Sequence, residues 1–262
     1  MNILDKIVAR KKEEVQYRKT KKTIFDLEMS DLFGRKTFSL RQFVLDETRT
    51  GIIAEYKRKS PSKGIINDKA SVQEVTEAYA QAASGISVLT DTDFFGGKME
   101  DLQSARFNQI PILRKDFMVD EYQIYEAKSI GADVILLIAA CLSPLEVKQF
   151  ASTAKRLGLE VLLEIHNEDE LKHICDEVDL VGVNNRNLKT FEVSIQTSLD
   201  LINKIPTNKP AVAESGISNV DTIVTLHEAG FSGFLIGENF MKETNPAIAF
   251  ADFAKKLKTK LV

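Results

Sequence analysis

The 262-residue chain has no tryptophan, only two cysteines and three histidines, and no large surplus of either charge. Without tryptophan it has no indole emission of its own. The three histidines, His166, His173 and His227, show none of the short spacings that metal ligands need, so no metal centre is expected. His173 and His227 fall in helical patterns, and His166 reads as a supporting residue at most. Cys141 and Cys175 lie far apart in apolar or helical surroundings, with no C-x-x-C pair. They read as buried thiols in a reducing compartment, which points to the cytoplasm. A formal net charge of −3 offers no general attraction to nucleic acid or to an anionic membrane, so any phosphate must be held by local groups. No apolar run is long enough to span a bilayer. Residues 1–22 spread Leu4, Ile7, Val8 and Val15 among lysines and glutamates, the pattern of an amphipathic helix rather than a signal peptide.

What is present is a rhythm. Short apolar runs occur at 51–54, 86–89, 110–113, 134–138, 160–163, 180–183, 211–213 and 233–236. Several are rich in β-branched residues, as strands buried on both faces should be. Helix start signals separate them: Ser71 with Glu74, ahead of Val72, Val75, Tyr79 and Ala82 on one face, and Ser143-Pro144-Leu145-Glu146. Asn167 with Glu170 and Ser218 with Asp221 repeat the signal more weakly. Gly85, Gly131, Gly158 and Gly230 stand where helices should stop. Eight runs alternating with helices predict an α/β fold, a (β/α)₈ TIM barrel spanning 49–262, with residues 1–48 as a helical extension of the same single domain. A doubly wound sheet, the structural rival, usually has fewer strands and a glycine-rich loop after the first. Here Glu55-Tyr56-Lys57-Arg58-Lys59 follows instead. No dinucleotide cofactor is expected.

In such a barrel chemistry gathers at the C-terminal ends of the strands. Glu55 and Lys57 end the first run, Lys115 the third and Glu164 the fifth; Asn184 and Arg186 follow the sixth, Glu214, Ser215 and Gly216 the seventh, and Gly237 the eighth. Side chains from alternate strands share a layer inside a barrel, so Glu55, Lys115, Glu164 and Glu214, all from odd-numbered strands, are expected to converge at the mouth. Taken singly, each is as readily a surface charge. Together they are costly to bury unless they pair and act. Gly216 and Gly237 allow close approach of backbone N–H groups to an anion, and a short helix after Gly237 would reinforce that. As turn residues alone they would mean less. Phe94, Phe95 and Phe117 sit near strand ends, either as core or as an apolar wall for an aromatic substrate.

Ile53-Ala54-Glu55-Tyr56-Lys57-Arg58-Lys59-Ser60-Pro61-Ser62-Lys63-Gly64 is a long motif, followed in order by Ser87 to Asp91 with Phe95-Gly96-Gly97, and by Pro111 to Phe117. Leu163-Glu164-Ile165-His166, Gly182 to Leu188, Ala213 to Ile217 and Leu235 to Glu238 complete the series. This series resembles the indole-3-glycerol-phosphate synthase family. The resemblance implies the decarboxylating, dehydrating ring closure of 1-(2-carboxyphenylamino)-1-deoxyribulose 5-phosphate, a step of tryptophan biosynthesis, by a cofactor-free carboxy-lyase in its monofunctional form. It implies Lys115 as general acid at ring closure and Glu164 as the acid–base group of dehydration. Lys57 would hold a substrate anion and the first loop, Glu55 would orient the lysines, and Glu214 would support substrate hydroxyls. Asn184 and Arg186 would position the anthranilate portion against Phe95, Phe117, Leu136 and Ile138. Ser60, Ser215, Gly216, Gly237 and the backbone of Glu238 would grip the phosphate. The only partner expected is the small phosphorylated substrate, with the chain a monomer or weak dimer.

Two other readings stay open on residues alone. Phosphoribosylanthranilate isomerase is also a phosphate-binding barrel but uses a Cys/Asp pair, and neither cysteine stands at a suitable strand end. A non-catalytic scaffold barrel would have no reason to keep Glu55, Lys57, Lys115 and Glu164 together.

Overall fold

Each apolar run becomes a strand, and most strands continue past the apolar pattern into the polar residue that ends it. The computed structural model describes residues 2–187 and 190–261, so Leu188 of the sixth-strand motif lies outside the described residues. The barrel strands are β1 Ile52–Tyr56, β2 Gly85–Leu89, β3 Ile112–Lys115, β4 Val134–Ile138, β5 Glu160–Ile165, β6 Leu180–Asn184, β7 Ala211–Glu214 and β8 Gly233–Ile236. All pair in parallel in sequence order, and β8 closes on β1 through Ile53 and Leu235. A small antiparallel hairpin, Lys59–Ser60 with Gly64–Ile65, decorates the loop after β1.

Period-two alternation sorts the strand residues into two cores. Outward-facing Ile52, Ala54, Ile86, Val88, Ile135, Leu137, Val161 and Leu163 pack under the helices. Inward-facing Ile53, Leu113, Val134, Leu136, Leu162, Leu180, Val212 and Leu235 fill the barrel. Leu40 and Val44 join the inner core, so the barrel's lower end is plugged by a segment of the N-terminal extension.

The start signals act as expected at Ser143, where hydroxyl and Glu146 carboxylate form a reciprocal capping box with Pro144 in the first turn. Ser71 Oγ likewise accepts from Glu74 N–H. Two expectations change. The helix Val220–Glu228 is capped by Asn219, not Ser218, because Asn219 Oδ1 accepts the Thr222 N–H at 2.9 Å. Asn167 leads into a 3₁₀ segment, Glu168–His173, rather than an α-helix. Gly131, Gly158 and Gly230 take the left-handed conformation that closes a helix. Gly85 has a different duty: it starts β2, and a Cβ there would lie 2.6 Å from Leu40 Cδ1.

The extension forms α1 Ile3–Lys21, α2 Ile24–Glu28 and α3 Leu40–Val44. Leu40 and Val44 lie on α3, at the lower end, whereas α1 reaches the mouth. It is tied there by Lys11, only 1% exposed, whose Nζ lies 2.8 Å from Asp91, 3.1 Å from Asp116 and 2.9 Å from Glu14. Burial works against this ammonium, but Asp116 and Asp91 outweigh it and raise its pKa. Asp91 in turn accepts the Phe94 and Phe95 N–H groups, and Asp116 binds Arg114 and Thr90. Lys11→Met would leave these carboxylates buried beside α1 without its cation. Breaking such a buried pair costs about 3–5 kcal/mol. Urea unfolding followed by circular dichroism should show a loss of this size, and a loss under about 1 kcal/mol, the range of an exposed pair, would mean that Lys11 does not dock the helix. No helix among the described residues is long and apolar enough to cross a membrane.

Candidate active site

The mouth opens into a cavity of about 660 Å³. Its floor is charged because the last inward-facing residue of each odd strand is ionisable: Glu55 on β1, Lys115 on β3, Glu164 on β5 and Glu214 on β7. Lys115 is the hub. Its Nζ lies 2.7 Å from Glu214 Oε2 and 3.5 Å from Glu164 Oε2. Lys57 Nζ lies 2.8 Å from Glu55 Oε1, one side chain above it on the same face of the chain. Asn184 Nδ2 donates to Glu164 Oε1 at 3.1 Å, and Asn184 Oδ1 accepts the Arg186 N–H at 3.0 Å, which fixes the orientation of its amide.

Two glycines make room for these carboxylates. A Cβ on Gly182 would sit 2.2 Å from Glu214 Oε1, and one on Gly237 would sit 2.5 Å from Glu55 Oε1. Gly237 therefore serves the acidic floor as well as the rim.

The acids are not equivalent. Burial pushes all three toward the neutral form. At Glu164 the opposing fields of Lys115 and His166, with the Asn184 hydrogen bond, prevail and hold the pKa well below the carboxylate range. Glu55 is likewise lowered against burial by Lys57 and Lys115. Glu214 goes the other way: burial, reinforced by repulsion from Glu164 and Glu55, exceeds the pull of Lys115 and lifts it to about 7. Burial would also discharge Lys115, but Glu214, Glu164 and Glu55 outweigh it and raise its pKa, so the ammonium keeps its proton at neutral pH. Differently tuned groups in one cleft mark acid–base chemistry.

The walls divide by chemistry. Phe95 and Phe117, with ring centroids 6.0 Å apart, line one side with Leu136 and Ile138. Ser215, Gly216, Gly237, Glu238 and the hairpin residue Ser60 line the other parts. Ser215 and Gly216 both have positive φ, 65° and 77°, so this turn is held in an unusual backbone form. The expected short helix is present as Glu238–Met241. Arg186 Nη2 lies 3.7 Å and Lys63 Nζ 3.8 Å from opposite oxygens of the Glu238 carboxylate, which balances its charge at the rim. The residues to which the resemblance gives a role all line this one cavity, whereas Phe94, the third aromatic considered for its wall, does not.

Sequence reasoning missed contributors from three parts of the chain. Ile3, Leu4 and Ile7 of α1 line the cleft, and only the docked position of that helix brings them there. Lys63 reaches the rim from the hairpin. His166, set aside above, faces Glu164 at 3.2 Å and Glu170 at 3.3 Å. Its spacing, two residues beyond Glu164 at a strand end, was the available signal. Cys141 lies in the turn after β4, and burial, with help from Glu164 and Glu170, pushes its thiol up to about 12, so it supplies no thiolate at neutral pH. Among the described residues, no group of three or more His, Cys, Asp or Glu side chains is arranged to hold a metal ion.

Residues 4–253 match the family model of indole-3-glycerol phosphate synthase. The chain belongs to that family. It is 44% identical over 258 residues to indole-3-glycerol phosphate synthase of Bacteroides thetaiotaomicron, covering 98% of this chain and 99% of the relative. It is 43% identical over 254 residues to the enzyme of the same name from Acinetobacter baumannii, covering 95% and 94%. Among solved structures, the α-subunit of tryptophan synthase from Pyrococcus furiosus superposes with a TM-score of 0.62 at 18% identity, over 81% of this chain and 99% of that one. That likeness speaks for the barrel alone.

Proposed function

We propose a division of labour in the mouth for the activity that family membership assigns to the chain. That activity is the closure of 1-(2-carboxyphenylamino)-1-deoxyribulose 5-phosphate to indole-3-glycerol phosphate, with loss of carbon dioxide and water, in tryptophan biosynthesis. The observation that carries the assignment is Lys115 Nζ, a charged acid in a buried ring of carboxylates, 2.7 Å from Glu214 and facing the same cavity as the aromatic wall. In this reading Lys115 protonates the ribulose carbonyl oxygen as the ring carbon attacks. Carbon dioxide then leaves that carbon. Glu164, ionised at the start of each cycle, takes a proton from the cyclised intermediate and returns it to the departing hydroxyl, which leaves as water. Lys57 neutralises a substrate anion while Glu55 aims it. Glu214 supports the substrate hydroxyls, and Asn184 and Arg186 orient the anthranilate portion against Phe95, Phe117, Leu136 and Ile138.

Ser60, Ser215, Gly216, Gly237 and the Glu238 backbone hold the phosphate in this reading. Ser215→Asp tests that end, since aspartate tolerates the left-handed backbone that Ser215 occupies. Its carboxylate beside the phosphate should repel it by several kcal/mol at most. KM should rise by at least about tenfold, 1.4 kcal/mol, while circular dichroism stays unchanged. An unaltered KM would put the phosphate elsewhere. Turnover is best followed by the fluorescence of the indole product, because the chain has no tryptophan to mask it. The same reading has the chain work in the cytoplasm as a monomer or weak dimer, in keeping with its two free cysteines.

A further inference from the structure

His166 lines not the substrate cleft but a second cavity of about 590 Å³, which adjoins the cleft at Leu4, Asn184 and Arg186, together with Glu170, Asn167 and Asp5 of α1. From that side its ring touches two acids. Nε2 lies 3.2 Å from Glu164 Oε1, and Nδ1 lies 3.3 Å from Glu170 Oε2. Glu170 Oε2 also accepts the His166 backbone N–H at 2.7 Å, and Glu170 Oε1 accepts from Asn167 Nδ2 at 3.0 Å. Glu170 is thus fixed at both oxygens and fixes the ring in turn. Glu164 is consequently held from two sides, by Lys115 at Oε2 within the cleft and by His166 and Asn184 at Oε1.

We propose that His166, braced by Glu170, is a positioning residue that keeps the Glu164 carboxylate ionised and turned toward Lys115 and Asn184 from outside the substrate cleft. The inference rests on Glu164 being the acid–base group of the proposed mechanism and adds the pair that prepares it. Nδ1 is within hydrogen-bond reach of Glu170, while Nε2 is buried at ion-pair distance from Glu164 without an aligned hydrogen bond, so both acids act on the ring by favouring its charged form. Burial opposes that cation, but Glu164 and Glu170 overcome it and raise the pKa to about 10. The groups around the pair come from every neighbouring element. Glu164 faces Lys115 of β3 and Asn184 of β6, with Glu55 of β1 and Glu214 of β7 acting across the mouth. Cys141, in the turn after β4, is acted on by both Glu164 and Glu170, and His166 shares its cavity with Asp5, Glu170, Arg186 and Glu192. None of these supplies a second cation on the Oε1 side of Glu164 as close as His166.

An opposite charge at this range lowers a carboxylate pKa by about 1–3 units. His166→Gln should therefore move the acid limb of the kcat–pH profile to higher pH by about one unit or more, with KM changed by less than about twofold because the ring does not line the substrate cleft. Glu170→Gln should shift the limb in the same direction by less. His166→Lys, which restores a cation, should return it. In a Glu164→Gln background, His166→Gln should add less than about a twofold loss, since a pair acting as one unit is not additive. An unmoved limb, or an equal loss in both backgrounds, would overturn the inference while leaving Glu164 in its role. A Glu164→Gln enzyme with near-normal kcat would instead remove the assignment of Glu164, and this inference with it. A variant that merely loosens the fold would lower kcat at every pH without moving the limb, and counts against the proposal.

Discussion

Replacing Lys115 with methionine should lower turnover by a factor of at least about 10²–10⁴, the usual contribution of a positioned acid. Binding should survive. Methionine approximates the stem of lysine, and the phosphate and anthranilate contacts of the proposed mechanism lie on other residues. The fold should survive as well, for a reason the electrostatics supply. Without the ammonium, Glu55, Glu164 and Glu214 face one another with less compensation, and Glu214, already lifted to about 7 by burial and its acidic neighbours, takes up a proton at neutral pH and relieves the repulsion. Stopped-flow fluorescence of the indole product measures the rate, and equilibrium binding of the product measures affinity. Lys57→Met is the informative companion. Among the described residues Lys57 pairs with Glu55 alone, whereas Lys115 contacts both Glu164 and Glu214. Its loss should weaken substrate binding more than it lowers kcat. A Lys115→Met enzyme that keeps a tenth of its turnover, beside a dead Lys57→Met enzyme, would exchange the two roles.

The second large effect separates the chemical steps. Glu164→Gln keeps the shape of the side chain and its reach to Asn184 but cannot exchange a proton, so it should slow dehydration by about 10²–10⁴-fold. Carbon dioxide leaves the ring carbon before, or as, aromaticity is restored. Rapid mixing of this variant with substrate should therefore show carbon dioxide release running ahead of indole fluorescence. If both products appear together at one reduced rate, Glu164 acts at or before ring closure. The structural basis for the expectation is its ionised state: held down by Lys115, His166 and Asn184 against burial, it is prepared to take a proton before giving one.

Much of this was readable from residue order. The apolar runs located all eight strands, and the polar residue closing each odd run identified the floor of the mouth. Boundaries were less legible. Strands such as β1 and β5 extend beyond the apolar pattern, because inside a barrel a charged residue can continue the ladder when its side chain reaches partners across the mouth. Gly85 read as a helix stop because glycine serves turns and close packing alike. Only the approach of Leu40 distinguishes the two. Arg114 presents the same difficulty. In a pattern it is one more polar residue beside Lys115, yet it is fully buried on the outward face and bound to Asp116, Glu126 and the Gln123 carbonyl.

The sequence by itself determined the alternation of strand and helix, and with it the face on which each strand-end residue lies. Side-chain direction along a strand has a period of two, which no later packing step can alter without turning the whole strand over. Glu55, Lys115, Glu164 and Glu214 were thus committed to the interior by their positions in four separate runs. What only the tertiary structure decided was which of these interior groups meet, and from which side they are reached. Closing the sheet set Lys115 on Glu214 and Glu164, and the packing of Glu214 left no room for any side chain at residue 182. Docking α1 over the rim brought Lys11 onto the loops that carry Phe95 and Asp116. The turn after β5 folded Glu170 back onto His166 and His166 onto Glu164. These contacts depend on distances across the barrel and between segments far apart in the chain, and local periodicity carries no information about such distances.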